Sequence, residues 1–336
     1  MKDNTLNRFT LKAFTAMLIF LPILVIYIVI DPFAVVRHHE PCPAFGSAIP
    51  FNKGYISTCA YIDNRDKYHY NAFIFGSSRT INFRAADWKS HLGSDASIFH
   101  FDASNETPEG IYLKMKYIDE HGDSIKYAIF EFPSIFFNDR SEYLSYRTPW
   151  QLDGIQSAPE FHYYYLNRFL DWSMFKSILK YKAYGEMPPE EIADKVLFLS
   201  TIIDGYDRST NETYFNKRDS LYAHHPEKGK MLRFDPKLFH ISKKVSTDYH
   251  RSLLHKIHEI LLRHNTDYKI ILGPMPDYST LDDTDKTLII NIFGKENVSD
   301  LSRFSPAYSG KMTFYDHIHF TPEIGKEMID SAYFCQ

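Results

Sequence analysis

Asn71-Ala72-Phe73-Ile74-Phe75-Gly76-Ser77-Ser78-Arg79-Thr80 decides the reading of this chain. Residues 72–75 are apolar and carry no charge, as suits a strand buried on both faces of a sheet. The run breaks at Gly76 into two small hydroxyl residues and an arginine. Open α/β sheets bind their ligands at the carboxyl ends of the strands. A strand ending in Gly-Ser-Ser therefore presents a serine where chemistry is done, although the same residues also suit a plain turn.

A second stretch near the other end weighs on that choice: Phe314-Tyr315-Asp316-His317-Ile318-His319-Phe320-Thr321-Pro322-Glu323. A serine nucleophile needs a base, and the base needs a group to orient it. Asp316 and His319 stand just before a marked helix start, with Thr321 as N-cap, Pro322 at the first helical position and Glu323 at the positive helix end. Residues 312–315 read as a strand leading into that loop.

Between the two stretches, residues 96–101 read as a second strand. A loop at 102–106 follows, then a helix opening at Thr107-Pro108 and a third strand at 125–132. Strand, helix, strand at this spacing argues a right-handed βαβ unit in a parallel sheet. Residues 246–264 read as an amphipathic helix, 268–272 as a buried strand ending in Gly273-Pro274, and 281–293 as a further helix. The sum is a three-layer α/β/α sandwich with a mainly parallel sheet. Residues 133–242 break the pattern and read as a largely helical insertion, with helices at 161–184 and 189–203. The insertion crowds Tyr163, Tyr164, Tyr165, Phe169, Trp172 and Phe175 together. It either covers the sheet, forms a lid, or meets lipid or a membrane partner.

The start of the chain sets the compartment. Residues 1–12 are polar, and residues 13–30 carry no charge. As a helix that run spans about 27 Å, close to the hydrocarbon thickness of a bilayer. Pro22 is tolerated in a span. A cleaved signal peptide is the alternative, but the run is long for one and no A-x-A site follows. Lys2, Arg8 and Lys12 precede the run and Arg37 alone follows closely, so the N-terminus is expected inside and the chain from Asp31 outside. Within the linker segment 31–69, Cys42 and Cys59 flank a Pro-, Gly- and Ser-rich loop in an oxidising compartment, and a disulfide between them is expected. Cys335 has no assigned role. The net charge of −4 gives no reason to expect nucleic acid. No cofactor is expected, and the H-x-H pair His317 and His319 is a weak metal signal without further ligands. His224 and His225 read as solvated.

Together the two stretches resemble the SGNH (GDSL-like) hydrolase superfamily. Its serine follows a Gly-x pair after the first strand, and a D-x-x-H near the C-terminus supplies acid and base. Ser78, with Ser77 as the alternative, matches the nucleophile; His319 matches the base and Asp316 the orienting carboxylate. The resemblance covers most of 70–132 and 245–333 and implies the SGNH/flavodoxin-like sandwich over 70–336. The superfamily's oxyanion-hole Gly-x-Asn-Asp is missing after the third strand, where Glu131-Phe132-Pro133-Ser134 stands. Ser104 and Asn105 are the nearest substitutes. Arg79 either binds a substrate anion or forms a structural ion pair. Anchored members of this kind accompany membrane-bound O-acyltransferases. The resemblance therefore implies acyl transfer or ester hydrolysis on a cell-envelope glycan, by a single-pass inner-membrane protein whose main domain is periplasmic. The alternative is a catalytically silent scaffold that binds a glycan or such an acyltransferase.

Overall fold

A computed structural model describes residues 2–33, 35–36, 53–137, 148–152, 157–184, 205–215, 237–303, 313–314 and 318–334. In chain order the helices are α1 (Lys2–Ile30), α2 (Lys53–Tyr68), α3 (Ala85–Lys89), α4 (Pro108–Glu120), α5 (Ala158–Phe169), α6 (Trp172–Tyr184), α7 (Asp248–Arg263), α8 (Asp283–Phe293) and α9 (Pro322–Phe334). The strands are β1 (Ala72–Phe75), β2 (Ile98–His100), β3 (Tyr127–Glu131), β4 (Gly205–Asp207), β5 (Glu212–Tyr214), β6 (His240–Ile241), β7 (Asp267–Leu272), β8 (Ser279–Thr280) and β9 (Val298–Asp300).

The main sheet has the order β2-β1-β3-β7-β9, and all its pairings are parallel. Successive side chains of a strand face opposite ways, and β1 uses both faces. Phe73 and Phe75 enter a core with Tyr61 of α2, Ile111 and Met115 of α4, Leu254 and Ile257 of α7, and Ile289 of α8. Ala72 and Ile74 enter the opposite core with Trp88 of α3 and Ile324, Met328 and Ile329 of α9. Each fully buried Phe or Ile contributes about 1.5–3 kcal/mol, so a strand apolar on both faces has its lowest free energy between two helical layers. The chain leaves β1 for β2 on one side and returns to β3 on the other. That reversal opens a crevice at the carboxyl ends of β1 and β3, where ligands of doubly wound sheets sit.

Local signals hold where caps and apolar runs coincide. Thr107 caps α4 by accepting from the Gly110 amide, with Pro108 at the first helical position. Thr247 caps α7 in a capping box with His250. The expected helix over 161–184 divides into α5 and α6; residues 189–203 lie outside the described residues.

Three expectations are corrected. Among the described residues the last strand of the sheet is β9; of residues 312–315, expected as a strand, only 313 and 314 are described. Val298-Ser299-Asp300 carries little apolar signal because the edge is partly exposed. Phe314 instead makes an isolated antiparallel bridge to Phe320, and both are buried against α9. The insertion is not only helical: β4 and β5 form a hairpin. Its turn lies along β2, with the His100 amide donating to the Thr210 carbonyl at 2.8 Å and Asn211 Nδ2 donating to the His100 carbonyl at 2.7 Å. Finally, residues 53–68, expected in a linker, form α2, whose Tyr61 packs against Phe73, Phe99 and Phe101.

That helix also corrects the expected disulfide. Cys59 lies inside α2, not at a loop end, and is a buried free thiol. It packs with Tyr27 of α1 and with Phe161, Tyr165 and Phe169 of α5, and accepts from Gln151 Nε2 at 3.5 Å. Cys42 and Cys335 lie outside the described residues. Burial pushes the Cys59 thiol up to about 12, and thiol reactivity follows the thiolate. Cys59 is therefore expected to resist alkylation at pH 8 in the folded protein and to react once the protein is denatured. Peptide mass spectrometry checks this, and recovery of a Cys42–Cys59 cross-linked peptide would restore the disulfide.

Among large apolar residues of α1, Phe14, Met17, Leu18, Phe20, Leu21, Leu24, Val25, Ile28 and Val29 are exposed, while Tyr27 packs against Phe169 at 5.3 Å. The side chains of residues 13, 16 and 19 are not among those described. Among the described residues, no helix is long and apolar enough to cross a membrane.

Candidate active site

The carboxyl end of β1 turns sharply into a short 3-10 helix, Ser78–Asn82. Gly76 permits that turn, since a Cβ there would collide with Thr80 Cγ2. Ser77 caps the turn: its hydroxyl accepts from the Arg79 amide, and its carbonyl accepts from the Thr80 amide at 3.0 Å and hydroxyl at 2.9 Å. The Thr80 hydroxyl spends its proton on Ser77, so at 3.1 Å it accepts from His100 Nε2. Burial lowers the His100 pKa and keeps that ring neutral, with its proton on Nε2. Ser77 thus builds the turn, and Ser78 is left at its head, half-buried.

His319 stands with Nε2 2.9 Å from Ser78 Oγ, across 241 residues of sequence. This is within the reach a general base requires. Ser78 and His319 are thereby brought together as expected. Asp316 and His317 lie outside the described residues.

Two side chains from the Ser78 turn grip the loop that carries His319. Arg79 Nη1 donates to the Ile318 carbonyl at 2.7 Å, and Asn82 Nδ2 donates to the Phe320 carbonyl. On the far side, Thr321 Oγ1 accepts from the Ile324 amide and its carbonyl from the Gly325 amide, which starts α9 as expected. Gly325 sits against the Asn82 carbonyl, where a Cβ would collide. The first turn of α9 therefore packs directly on the backbone of the nucleophile turn.

Arg79 has no exposed surface. Its Nε donates to Glu131 Oε1 at 2.9 Å, in a pair with both side chains 0% exposed, and its Nη2 donates to the Pro274 carbonyl at 2.6 Å. The guanidinium also lies 5.2 Å from the Phe320 ring centre. Of the two roles the sequence offers, the structure places Arg79 in the ion pair; a substrate anion would have to displace buried partners. Burial raises the Glu131 pKa, and Arg79 opposes that rise. Gly273 leaves room for the pair, since a Cβ there would strike the Glu131 carboxylate. One guanidinium thus ties together the ends of β1, β3 and β7 and the His319 loop.

Ser104 and Asn105 lie in the turn after β2, on the same sheet edge. The Ala103 amide donates to the Gly76 carbonyl at 3.2 Å, which lays this loop beside the nucleophile turn. Asn105 is in the left-handed region at φ 50°. The loop is fixed from below, where Lys114 of α4 donates to the Phe101 carbonyl at 3.0 Å and pairs with buried Glu106. Asp102 is paired with Lys53 at 3.4 Å. After β3, Ser134 shares a hydrogen bond with Ser279 at 2.7 Å.

Sequence reasoning missed Asn82, Glu131 and Gly325. Glu131 left a signal: a carboxylate inside an apolar strand needs a buried partner. Among the described residues, no group of three His, Cys, Asp or Glu stands close enough to share a metal ion. Compared with known proteins, the chain matches no family model and no curated protein.

Proposed function

We propose that this protein is a membrane-anchored, extracytoplasmic serine esterase or O-acyltransferase acting on acyl esters of a cell-envelope glycan. The observation that carries the reading is His319 Nε2 lying 2.9 Å from Ser78 Oγ at the sheet's switch point. His319 takes the Ser78 hydroxyl proton as Oγ attacks the acyl carbon. The tetrahedral intermediate collapses, the glycan oxygen leaves with that proton, and the acyl group stays on Ser78. Water or an acceptor sugar hydroxyl then loses a proton to His319 and takes the acyl group. Asp316 orients the imidazole in this scheme. The Ser78 amide, with Ser104 and Asn105, stabilises in this scheme the charge that develops on the carbonyl oxygen.

The SGNH resemblance supports the chemistry through Gly76-Ser77-Ser78 and Asp316-His317-Ile318-His319. The doubly wound strand order is compatible with it. The anchor reading rests on the uncharged run at 13–30 and the exposed apolar side chains of α1. A partnership with a membrane-bound O-acyltransferase rests on the resemblance alone.

A fluorophosphonate probe, applied to the full chain in detergent or nanodiscs, is expected to label Ser78 and to do so still in Ser77→Ala. A folded protein that takes no label, or takes it elsewhere, would remove Ser78 from the mechanism. Full-length protein is also expected to remain in the membrane pellet through a carbonate wash. Release into the supernatant would replace the anchor with a peripheral or secreted form.

A further inference from the structure

We propose that Arg79 and Asn82 are positioning residues that set the base against the nucleophile. The inference rests on the reading of Ser78 and His319 as nucleophile and base. Among the described residues, the backbone flanking His319 is tied to the fold by the isolated Phe314–Phe320 bridge and by the Thr321 amide donating to the Thr313 carbonyl at 3.1 Å. Side chains of the Ser78 turn add two hydrogen bonds next to His319, whose Nε2 lies 2.9 Å from Ser78 Oγ. Arg79 holds the Ile318 carbonyl and Asn82 the Phe320 carbonyl, so the peptide planes at 318–319 and 320–321 are both fixed by side chains of the turn itself.

Both side chains are buried, and neither is placed to touch a substrate. Arg79 uses three different nitrogens on three acceptors: Glu131, Pro274 and Ile318. A lysine ammonium keeps the charge but cannot reproduce that planar fork. Nucleophile and base therefore move as one unit, with the sheet ends at β3 and β7 as their common footing. Misplacing a reacting group by about 1 Å costs up to about 100-fold, which sets the size of the expected effect.

The test measures kinact and KI for fluorophosphonate labelling of Ser78 in the full chain. The variants are Asn82→Ala, Arg79→Lys and the neutral double variant Arg79→Met/Glu131→Gln. Each is expected to lose about 10- to 100-fold in kinact while KI stays within about twofold. The double variant separates positioning from stability, because it removes the buried charges together and leaves the Ile318 carbonyl ungripped. A double variant that is as thermally stable as the parent and labels at the parent rate would reduce Arg79 to a structural ion pair. A folded Asn82→Ala with the parent kinact would overturn the other half. A wild-type chain that takes no label would instead fail the Ser78 reading. In that case the crystal structure of Asn82→Ala still decides the positioning: His319 Nε2 should have left Ser78 Oγ, and an unchanged separation would overturn it.

Discussion

Ser78→Ala and His319→Ala are each expected to lower ester turnover and fluorophosphonate labelling by roughly 10⁴- to 10⁶-fold, the range for losing a nucleophile or base that acts as part of a unit. The double variant should be no worse than either single one, because once the proton cannot be moved from Oγ to Nε2 there is nothing further to lose. Stability should hardly change. Ser78 is half-buried at the head of its turn, and the turn is capped by Ser77 and braced by Thr80. Substitutions at such sites usually fall within about 0.5 kcal/mol. Activity and thermal unfolding measured on the same preparations separate the outcomes. Turnover persisting in folded Ser78→Ala would leave the protein without this nucleophile and favour the silent scaffold.

The site was legible in part because two of its residues sit in local patterns that survive without the fold. Gly76-Ser77-Ser78 interrupts an apolar strand, and His319 precedes the cap at Thr321-Pro322. The resemblance favoured Ser78 with Ser77 as the alternative, and the turn then places Ser78 Oγ, not Ser77, against the imidazole. Asn82 was illegible, and of Glu131 only its need for a buried partner was legible, for a different reason. Their partners are a carbonyl 238 residues away and a guanidinium 52 residues away, and no periodicity in sequence reports such contacts.

The same contrast runs through the fold. β1 is buried and apolar throughout, and β3 and β7 are buried and largely apolar apart from Glu131, Asp267 and Lys269, which sequence shows directly. β9 is an edge and carries one apolar residue, so its sequence signal is weaker than that of residues 312–315, of which Phe314 makes an isolated bridge to Phe320. α2 was missed because Gly54, Ser57, Thr58 and Asn64 are weak helix formers. Tertiary packing of Tyr61 among the strand aromatics supports this helix, as packing supports most helices in proteins. The β4–β5 hairpin was hidden for a related reason: each strand has three residues, and its buried side chains are polar, with Asn211 of the turn held by β2 and Glu212 by α3.

Arg79→Met is expected to cost about 3–5 kcal/mol, the usual penalty for breaking a buried ion pair from one side. On a domain of this size that is a fall in Tm of about 10 °C. The physical cause is Glu131, which would be left 0% exposed without its cation. Burial already pushes the Glu131 pKa up from its ordinary value of 4.5, and Arg79 is the group that pulls it back. With the guanidinium gone, the folded protein holds the Glu131 proton to a higher pH than the unfolded chain does. The folded state then binds more protons than the unfolded one, so stability falls as pH rises from about 4.5 towards the folded pKa and is flat above it. The variant should therefore be closest to the parent in acid and should lose ground towards neutral pH. Adding Glu131→Gln removes the titrating group, so the double variant should show neither this slope nor most of the destabilisation. Thermal unfolding of the parent, single and double variants across pH 4 to 8 measures both effects. A single variant whose deficit is constant across that range would mean that Glu131 keeps its charge without Arg79, and that the cost comes from lost packing and hydrogen bonds at Ile318 and Pro274.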